Sequence, residues 1–172
     1  MILTVLLFTV LLICIITDLK ERKIYNKVIF PSLLLAIILH GIFYGFSGIL
    51  FSLSGFGVGL AILLIPYLMG GMGAGDVKLL ALIGAIKGTT FVVLTSVYMA
   101  MLGGVIGIVI LVFNRRFLSR LKKFLFSIKR VRYGLKPDPL FDKNNLQAMF
   151  PYGVAITGGA VLAYIFHGTV LL

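Results

Sequence analysis

The chain has 172 residues, of which 60% are hydrophobic and only 12% are charged. A typical soluble domain is about 45–50% apolar and about 25% charged, and a soluble protein of this size could not hide so much apolar surface. The composition therefore excludes a soluble globular protein and points to lipid as the solvent. A single cysteine, Cys14, also excludes an internal disulfide and any Cys-rich zinc or redox site.

Six apolar runs are long enough to cross the hydrocarbon core of a membrane as helices, which takes roughly 17–25 residues each. They predict an all-α membrane protein, a six-helix transmembrane bundle that forms a single domain over residues 1–172. The predicted spans are about 1–17, 28–46, 49–69, 72–88, 90–113 and 150–171. The first run lacks the flanks of a signal peptide, so we interpret it as a retained span. The fourth is the weakest, and five spans with a re-entrant element is the alternative.

The basic residues predict the orientation of this bundle. Fifteen of the 16 lysines and arginines fall in or beside the three connections that six spans place on one side, and Lys87 falls on the other. Cytoplasmic loops carry such an excess, so these connections are predicted to face the cytoplasm, with both termini outside. The net charge of +11 is explained by this topology, and no other feature supports nucleic-acid binding.

The connection 114–149 is the largest segment outside the predicted spans. Its first half places apolar residues at helical spacing between basic ones, which predicts a basic amphipathic cytoplasmic helix on anionic lipid headgroups. Docking of a protein partner is the alternative for this loop. Glycine pairs four residues apart occur in four of the runs and favour close helix packing. They leave open whether the chain also forms a homo-oligomer.

Two of the five acidic residues stand out by their position. Asp138 and Asp142 lie in the basic loop and Glu21 lies among lysines and arginines, where charge balance explains them. Asp18 ends the first span and Asp76 begins the fourth, so two complete spans return the chain to the same membrane face. Ionisable residues near membrane depth are usually functional. We therefore expect Asp18 and Asp76 to act together.

The segment before Asp76 contains four glycines in residues 70–75. Each glycine costs about 1 kcal/mol relative to alanine inside a helix, and glycine lets another chain approach closely. Irregular backbone at membrane depth is tolerated where it is buried in protein or lines a water-filled cavity. The segment is therefore predicted to bring Asp76 to water and to an incoming extended peptide.

Two adjacent carboxyl groups suit peptide hydrolysis without a metal or another cofactor. Like charges a few ångströms apart resist ionising together, so the pair shares one proton. The ionised partner activates a water, and the protonated partner stabilises the developing charge on the scissile carbonyl. Which aspartate takes which role stays open. His40 and His167 map near the opposite face, away from both acids.

Two other classes of function compete with a peptidase. A small ion- or proton-coupled transporter could use the same aspartates as carriers, although transporters often show repeated halves and here the glycine-broken segment occurs once. A scaffold without catalysis would leave the glycine–aspartate segment unexplained. Replacing either aspartate with asparagine separates these hypotheses, because only a scaffold should tolerate it.

Three motifs resemble those of a known family. Gly73-Ala74-Gly75-Asp76 matches the GxGD motif of membrane aspartic peptidases, and residues 71–78 resemble the second catalytic motif of type IV prepilin peptidases. Residues 17–26 resemble the first motif, an aspartate followed by basic residues and Ile-Pro-Asn, except that Tyr25 replaces the proline. Residues 150–155 are similar to the last-helix motif of that family.

The resemblance implies an aspartic endopeptidase in the cytoplasmic membrane, with Asp18 and Asp76 as the catalytic dyad. Its substrates would be prepilin-like precursors (pilins, pseudopilins or archaellins), cut at the cytoplasmic face between a short basic leader and a hydrophobic segment. The Cys-bearing domain of larger members has no counterpart here. The resemblance also implies a set of substrate-binding residues, namely Gly73, Gly75, Lys78, Pro151, Tyr152 and Gly153. Lys78 has two interpretations, since its side chain could instead extend to the lipid headgroups.

Overall fold

The computed structural model describes residues 2–21, 24–69, 71–113 and 152–167. Its helices are, in chain order, α1 (Ile2–Glu21), α2 (Asn26–Leu68), α3 (Ala74–Lys87), α4 (Thr89–Phe113) and α5 (Tyr152–His167). The all-α prediction is confirmed for this part of the chain. The loop 114–149 and Pro151 lie outside the described residues, so the amphipathic helix and its lipid contact stay predictions.

Among the described residues, three helical stretches are long and apolar enough to cross a membrane: Ile2–Glu21, Asn26–Leu68 and Thr89–Val109. The prediction of a membrane protein is therefore confirmed. α5 is apolar but shorter, and α3 has only 14 residues. All five helices lie where apolar runs were predicted, whereas the predicted number of six crossings stays a prediction.

The long helix α2 reverses direction at Gly45, whose φ of 63° and ψ of −146° lie outside the helical region. A positive φ is readily adopted by glycine and rarely by other residues. On either side of this break, Gly41 lies against the side chain of Ile49, and Gly48 lies against the backbone of His40. Residues eight apart in a straight helix are separated by about 12 Å. The contacts therefore make α2 a helical hairpin with a first arm, 26–44, and a second arm, 46–68.

α3 is the central helix of the described bundle. Every residue from Leu79 to Ile86 is buried, so this helix is apolar on all sides and has no lipid-facing stripe. The second arm of α2 crosses it at a point where Gly55 and Gly84 bring the two backbones together. α4 packs chiefly against α5 on another side of the bundle.

Side chains of α2 cap the buried carboxyl end of α3. The last carbonyl groups of a helix have no partner within the helix and need one elsewhere when they are buried. The Ser52 hydroxyl donates to the Ala85 carbonyl oxygen at 2.9 Å, and the His40 Nε2 lies 3.1 Å from the Ile86 carbonyl oxygen. The two arms of α2 therefore hold the end of α3 that lies away from Asp76.

Successive helices run in opposite directions, so the ends of particular helices meet at each end of the bundle. The ammonium group of Lys87 at the end of α3 donates to the hydroxyl of Thr4 at 3.0 Å and lies 5.3 Å from the ring centre of Tyr164. Thr4 is near the start of α1 and Tyr164 is near the end of α5. The end of α1 and the starts of α3 and α5 consequently meet at the opposite end of the bundle, where both aspartates lie.

Candidate active site

Asp18 occupies the last turn of α1 and continues the buried face of that helix. The buried residues of α1 are Leu7, Val10, Leu11, Cys14 and Asp18, spaced three or four apart as one face of a helix requires. The side chain of Asp18 is only 8% exposed. The same apolar periodicity that packs α1 into the bundle therefore carries this carboxyl group inward.

Asp76 occupies the first turn of α3 and is 9% exposed. Its Oδ2 accepts a hydrogen bond from the backbone N–H of Gly73 at 3.1 Å, and its own N–H donates to the Gly73 carbonyl oxygen at 3.2 Å. A carboxylate suits the first turn of a helix, because the N–H groups there lack intrahelical partners. The carboxyl group of Asp76 is thus fixed by the backbone of the glycine segment that precedes it.

The structure brings Asp18 and Asp76 together, near enough for their charges to interact. The two residues come from different helices and are 58 positions apart in the sequence. Two buried carboxyl groups at this range resist being ionised simultaneously. Carboxyl groups that share a site can share one proton, which suits acid–base chemistry.

Gly153, in the first turn of α5, lies directly against Asp18. A Cβ atom at this glycine would lie 2.6 Å from Oδ2 of Asp18 and 2.7 Å from its Cγ. Real Cβ atoms essentially never come within 3.0 Å of another heavy atom. The carboxyl group of Asp18 therefore occupies the space that any side chain at position 153 would need.

Gly75 makes room for the chain between α1 and α2. A Cβ atom at Gly75 would lie 3.0 Å from Cβ and 3.4 Å from the carbonyl oxygen of Ile24. The next residue, Tyr25, is the N-cap of α2 with φ −80° and ψ 127°. Proline prefers a φ of about −65 ± 15°, so tyrosine at this position keeps a backbone that proline could adopt. The Tyr25 hydroxyl also donates to the carboxylate of Glu21.

Lys78 points away from the two acids. Its ammonium group donates to Oδ1 of Asn26 at 3.0 Å and lies 5.2 Å from the centre of the Phe30 ring. Asp76 and Lys78 are two positions apart, which places them about 200° apart around the helix axis. The structure joins Lys78 to the start of α2 and does not bring it to Asp76.

The remaining predicted residues divide between the site and its surroundings. Tyr152, which is half-buried, is near enough to Asp76 for an electrostatic interaction. His40 contacts the far end of α3, about 15 Å along the helix from Asp76. Within the described ranges, no three His, Cys, Asp or Glu side chains converge as a metal site would require.

Sequence reasoning missed two neighbours of the site. Ile24, which packs on Gly75, and Asn26, which binds Lys78, both lie within the first motif, residues 17–26. That stretch was interpreted only through its acid and its missing proline. Both residues contact the second motif, residues 71–78, so the predicted placement of both motifs at one membrane face is the signal that could have linked them.

The family model of the type IV leader peptidase family matches residues 5–108. The matched region is more than half of the chain and includes both aspartates, α2, α3 and most of α1 and α4. It names a peptidase family and lends no support to the transporter hypothesis. Comparison with curated proteins and with solved structures gives no significant match. The chain belongs to the type IV leader peptidase family and is accordingly a protease.

Proposed function

We propose that the chain is a membrane-embedded aspartic endopeptidase whose catalytic dyad is Asp18 and Asp76. The observation that carries this proposal is the convergence of these two carboxyl groups, both buried, from the end of α1 and the start of α3. Glu21, the other acid of the described residues, is exposed to solvent and hydrogen-bonded to Tyr25. The dyad is therefore the acid pair best suited to the chemistry.

In the proposed reaction, the ionised carboxylate takes a proton from a water whose oxygen attacks the scissile carbonyl carbon. The protonated carboxyl group donates a hydrogen bond to the carbonyl oxygen and stabilises the negative charge that forms there. The intermediate then breaks its carbon–nitrogen bond as the leaving nitrogen takes up a proton from the dyad. The pair titrates as a unit, so the roles of acid and base are assigned to the dyad and not to one particular aspartate.

We propose prepilin-like precursors as the substrates, with the scissile bond between a short basic leader and a hydrophobic segment. Lys20 and Lys78 lie at the same end of the bundle as the dyad, whereas Lys87 lies at the other end. The cytoplasmic faces of membrane proteins carry the excess of basic residues. This end would therefore face the cytoplasm, with the chain in the cell's inner membrane. The hairpin of α2 supports six crossings in total, with one crossing for each arm.

The substrate peptide is proposed to meet the dyad beside the backbone of the glycine segment and the start of α5. Gly73 has an extended backbone, with φ −81° and ψ 152°, immediately before α3. Tyr152, in the first turn of α5, is near enough to Asp76 for an electrostatic interaction. Gly75 and Pro151 remain proposed contacts, and contact between Gly75 and substrate would require Ile24 to move aside.

A cleavage assay with purified protein in liposomes tests the proposal, using several prepilin-like precursors and the variants Asp18→Asn and Asp76→Asn. Each variant is expected to lose about 10²–10⁴-fold in cleavage rate, because each removes one proton-transfer group. Asparagine keeps an acceptor for the Gly73 N–H, so Asp76→Asn should still fold.

Glu21→Gln is the matched control, since it neutralises an acid one turn beyond Asp18 without touching the dyad. It should retain the wild-type rate. Unimpaired cutting by both asparagine variants would rule out the dyad, while a loss shared by all three variants would indicate a general charge effect.

A further inference from the structure

Among the glycines of the site, Gly153 of α5 comes closest to a side chain of the dyad, that of Asp18. The three Asp18 atoms nearest to a Cβ built on Gly153 are Oδ2 at 2.6 Å, Cγ at 2.7 Å and Cβ at 3.1 Å. All belong to the side chain of Asp18. The absent side chain of Gly153 thus leaves room for a catalytic group of the protein itself.

The helix side of this contact has little freedom to yield. Ala155, Ile156 and Thr157, which follow Gly153 in α5, are fully buried, so the packing of the bundle holds the start of this helix in place. Asp18 is buried on the packed face of α1. A methyl group at position 153 would therefore displace the carboxyl group of Asp18 before it displaced the helix.

We propose that Gly153 is a positioning residue that sets the place of the Asp18 carboxyl group relative to Asp76. The proposal rests on the aspartic dyad proposed above and replaces the substrate-contact role that the sequence suggested for this glycine. Acid–base catalysis depends on the separation of its groups, and a misplacement of about 1 Å can cost about 10²-fold in rate. Gly153 would act on the reaction through Asp18 without touching the substrate.

A double-mutant cycle in thermal stability tests the contact without any need for activity. Gly153→Ala is introduced into the wild type and into an Asp18→Gly variant, which removes all three contacted atoms. The substitution is expected to lower Tm when Asp18 is present and to leave Tm unchanged or raise it when Asp18 is absent, because alanine favours a helix over glycine.

Gly158→Ala is the matched control on the same helix. Its Cβ would meet only Cδ1 of Leu102, at 2.8 Å, which is the far end of a flexible side chain. Its effect on Tm should be the same in both backgrounds. An equal loss of Tm from Gly153→Ala in both backgrounds would overturn the contact. If Gly153→Ala alone does not fold, recovery of folding in the double variant supports the proposal and failure there overturns it.

Kinetics then separate positioning from substrate contact. Gly153→Ala is expected to lower kcat by about 10²-fold with KM within about twofold, because the dyad is misplaced while the substrate surface stays intact. A raised KM with unchanged kcat would overturn the positioning role and favour a substrate contact. If Asp18→Asn still cleaves, the dyad itself has failed, and the Tm cycle reports on the contact independently of that result.

Discussion

In the proposed dyad, the carboxyl group of Asp76 combines a structural and a chemical task. Oδ2 accepts the Gly73 N–H and so completes the first turn of α3, while the same carboxyl group faces Asp18. Substitution by alanine would remove both contributions at once. The loss of a helix-capping acceptor alone typically costs about 0.5–2 kcal/mol. Asparagine is therefore the informative substitution, because it removes the acid and keeps the acceptor.

Lys78 is expected to contribute to stability more than to catalysis. Lys78→Met removes the hydrogen bond to Asn26 and the contact of its charge with Phe30, so the free energy of unfolding should fall by about 0.5–1.5 kcal/mol. The cleavage rate should change by less than about tenfold, since the lost contacts point away from Asp76. Thermal unfolding and the cleavage assay measure the two effects on one preparation.

Asn26→Ala is the control for Lys78→Met, since it removes the acceptor and leaves the charge. Similar losses of Tm in the two variants would identify the hydrogen bond as the cause. A loss of cleavage by Lys78→Met as severe as that of Asp76→Asn would contradict the prediction and restore Lys78 to the site.

Counting spans predicted Asp18 and Asp76 at one membrane face, and the structure brings the two residues together at one end of the bundle. The contact of Gly153 with Asp18 could not be predicted in this way, because it depends on how α5 packs beside α1. The packing of Ile24 on Gly75 has the same origin. At the scale of single residues, the sequence indicates which groups are candidates for the chemistry, and tertiary packing decides which residues surround them.

At the scale of the helix, the crossing of α2 and α3 depends on two glycines that face each other. A Cβ on Gly55 would overlap the Gly84 carbonyl oxygen, and a Cβ on Gly84 would overlap that of Gly55. A Cβ on Gly59 would lie 2.7 Å from the carbonyl oxygen of Leu80 and 2.8 Å from Cα of Ala81, so this glycine also lies against the backbone of α3. Small residues let helices in membranes approach to backbone contact, which was the interpretation given to these spacings.

Gly55→Ala should destabilise this crossing, because the added methyl group meets backbone and forces the helices apart. We expect the free energy of unfolding to fall by roughly 1–3 kcal/mol, the usual cost of overpacking. Gly57→Ala is the matched control two residues further along the same arm, where a Cβ meets nothing within 4 Å. It should be neutral or stabilising by up to about 1 kcal/mol.

Unfolding of both variants in detergent, monitored by circular dichroism, measures the difference between their stabilities. Equal stabilities of Gly55→Ala and Gly57→Ala would show that the α2–α3 crossing can relax, and the close contact would then lose its significance.

Apolar runs predicted where the helices lie but not how two of them are joined. The runs 28–46 and 49–69 were separated at residues 47 and 48, whereas the break falls at Gly45. Gly45, Gly48 and the serines between apolar residues give no periodic signal that fixes the turn. The start of α3 at Ala74 agrees with the expectation that the preceding glycines would resist helix formation.

Across the whole molecule, polar groups gather at the two ends of the bundle. One end holds the dyad with Lys20 and Lys78, and the other holds His40, Lys87 and the turn at Gly45. The apolar surface between them includes many exposed large side chains on α1, α2 and α4. This division is expected of a bundle that meets water at both ends and lipid around its sides.

Labelling of single cysteines tests this division in the membrane. In a Cys14→Ser background, Lys20→Cys and Ala74→Cys should react with a membrane-impermeant maleimide from the cytoplasmic side. Thr90→Cys, just after the far end of α3, should react from the opposite side. All three positions are exposed at the surface of the described bundle.

Reaction of Lys20→Cys and Ala74→Cys from opposite sides would make the dyad impossible. If both of these cysteines react from the side opposite to the cytoplasm, the dyad stays possible and the proposed cleavage moves to the other compartment.

The shortness of α3 has a consequence for hydration. Fourteen residues rise by about 21 Å, whereas the hydrocarbon layer is about 30 Å thick. Because α3 is enclosed by protein, the lipid layer cannot become thinner to match the length of this helix. The remaining thickness must be spanned by other parts of the bundle. We expect a wet depression above its first turn, filled by the unwound glycine backbone and by solvent. Each hydrolysed peptide bond consumes one water molecule, and the solvent in this depression would supply it next to Asp76.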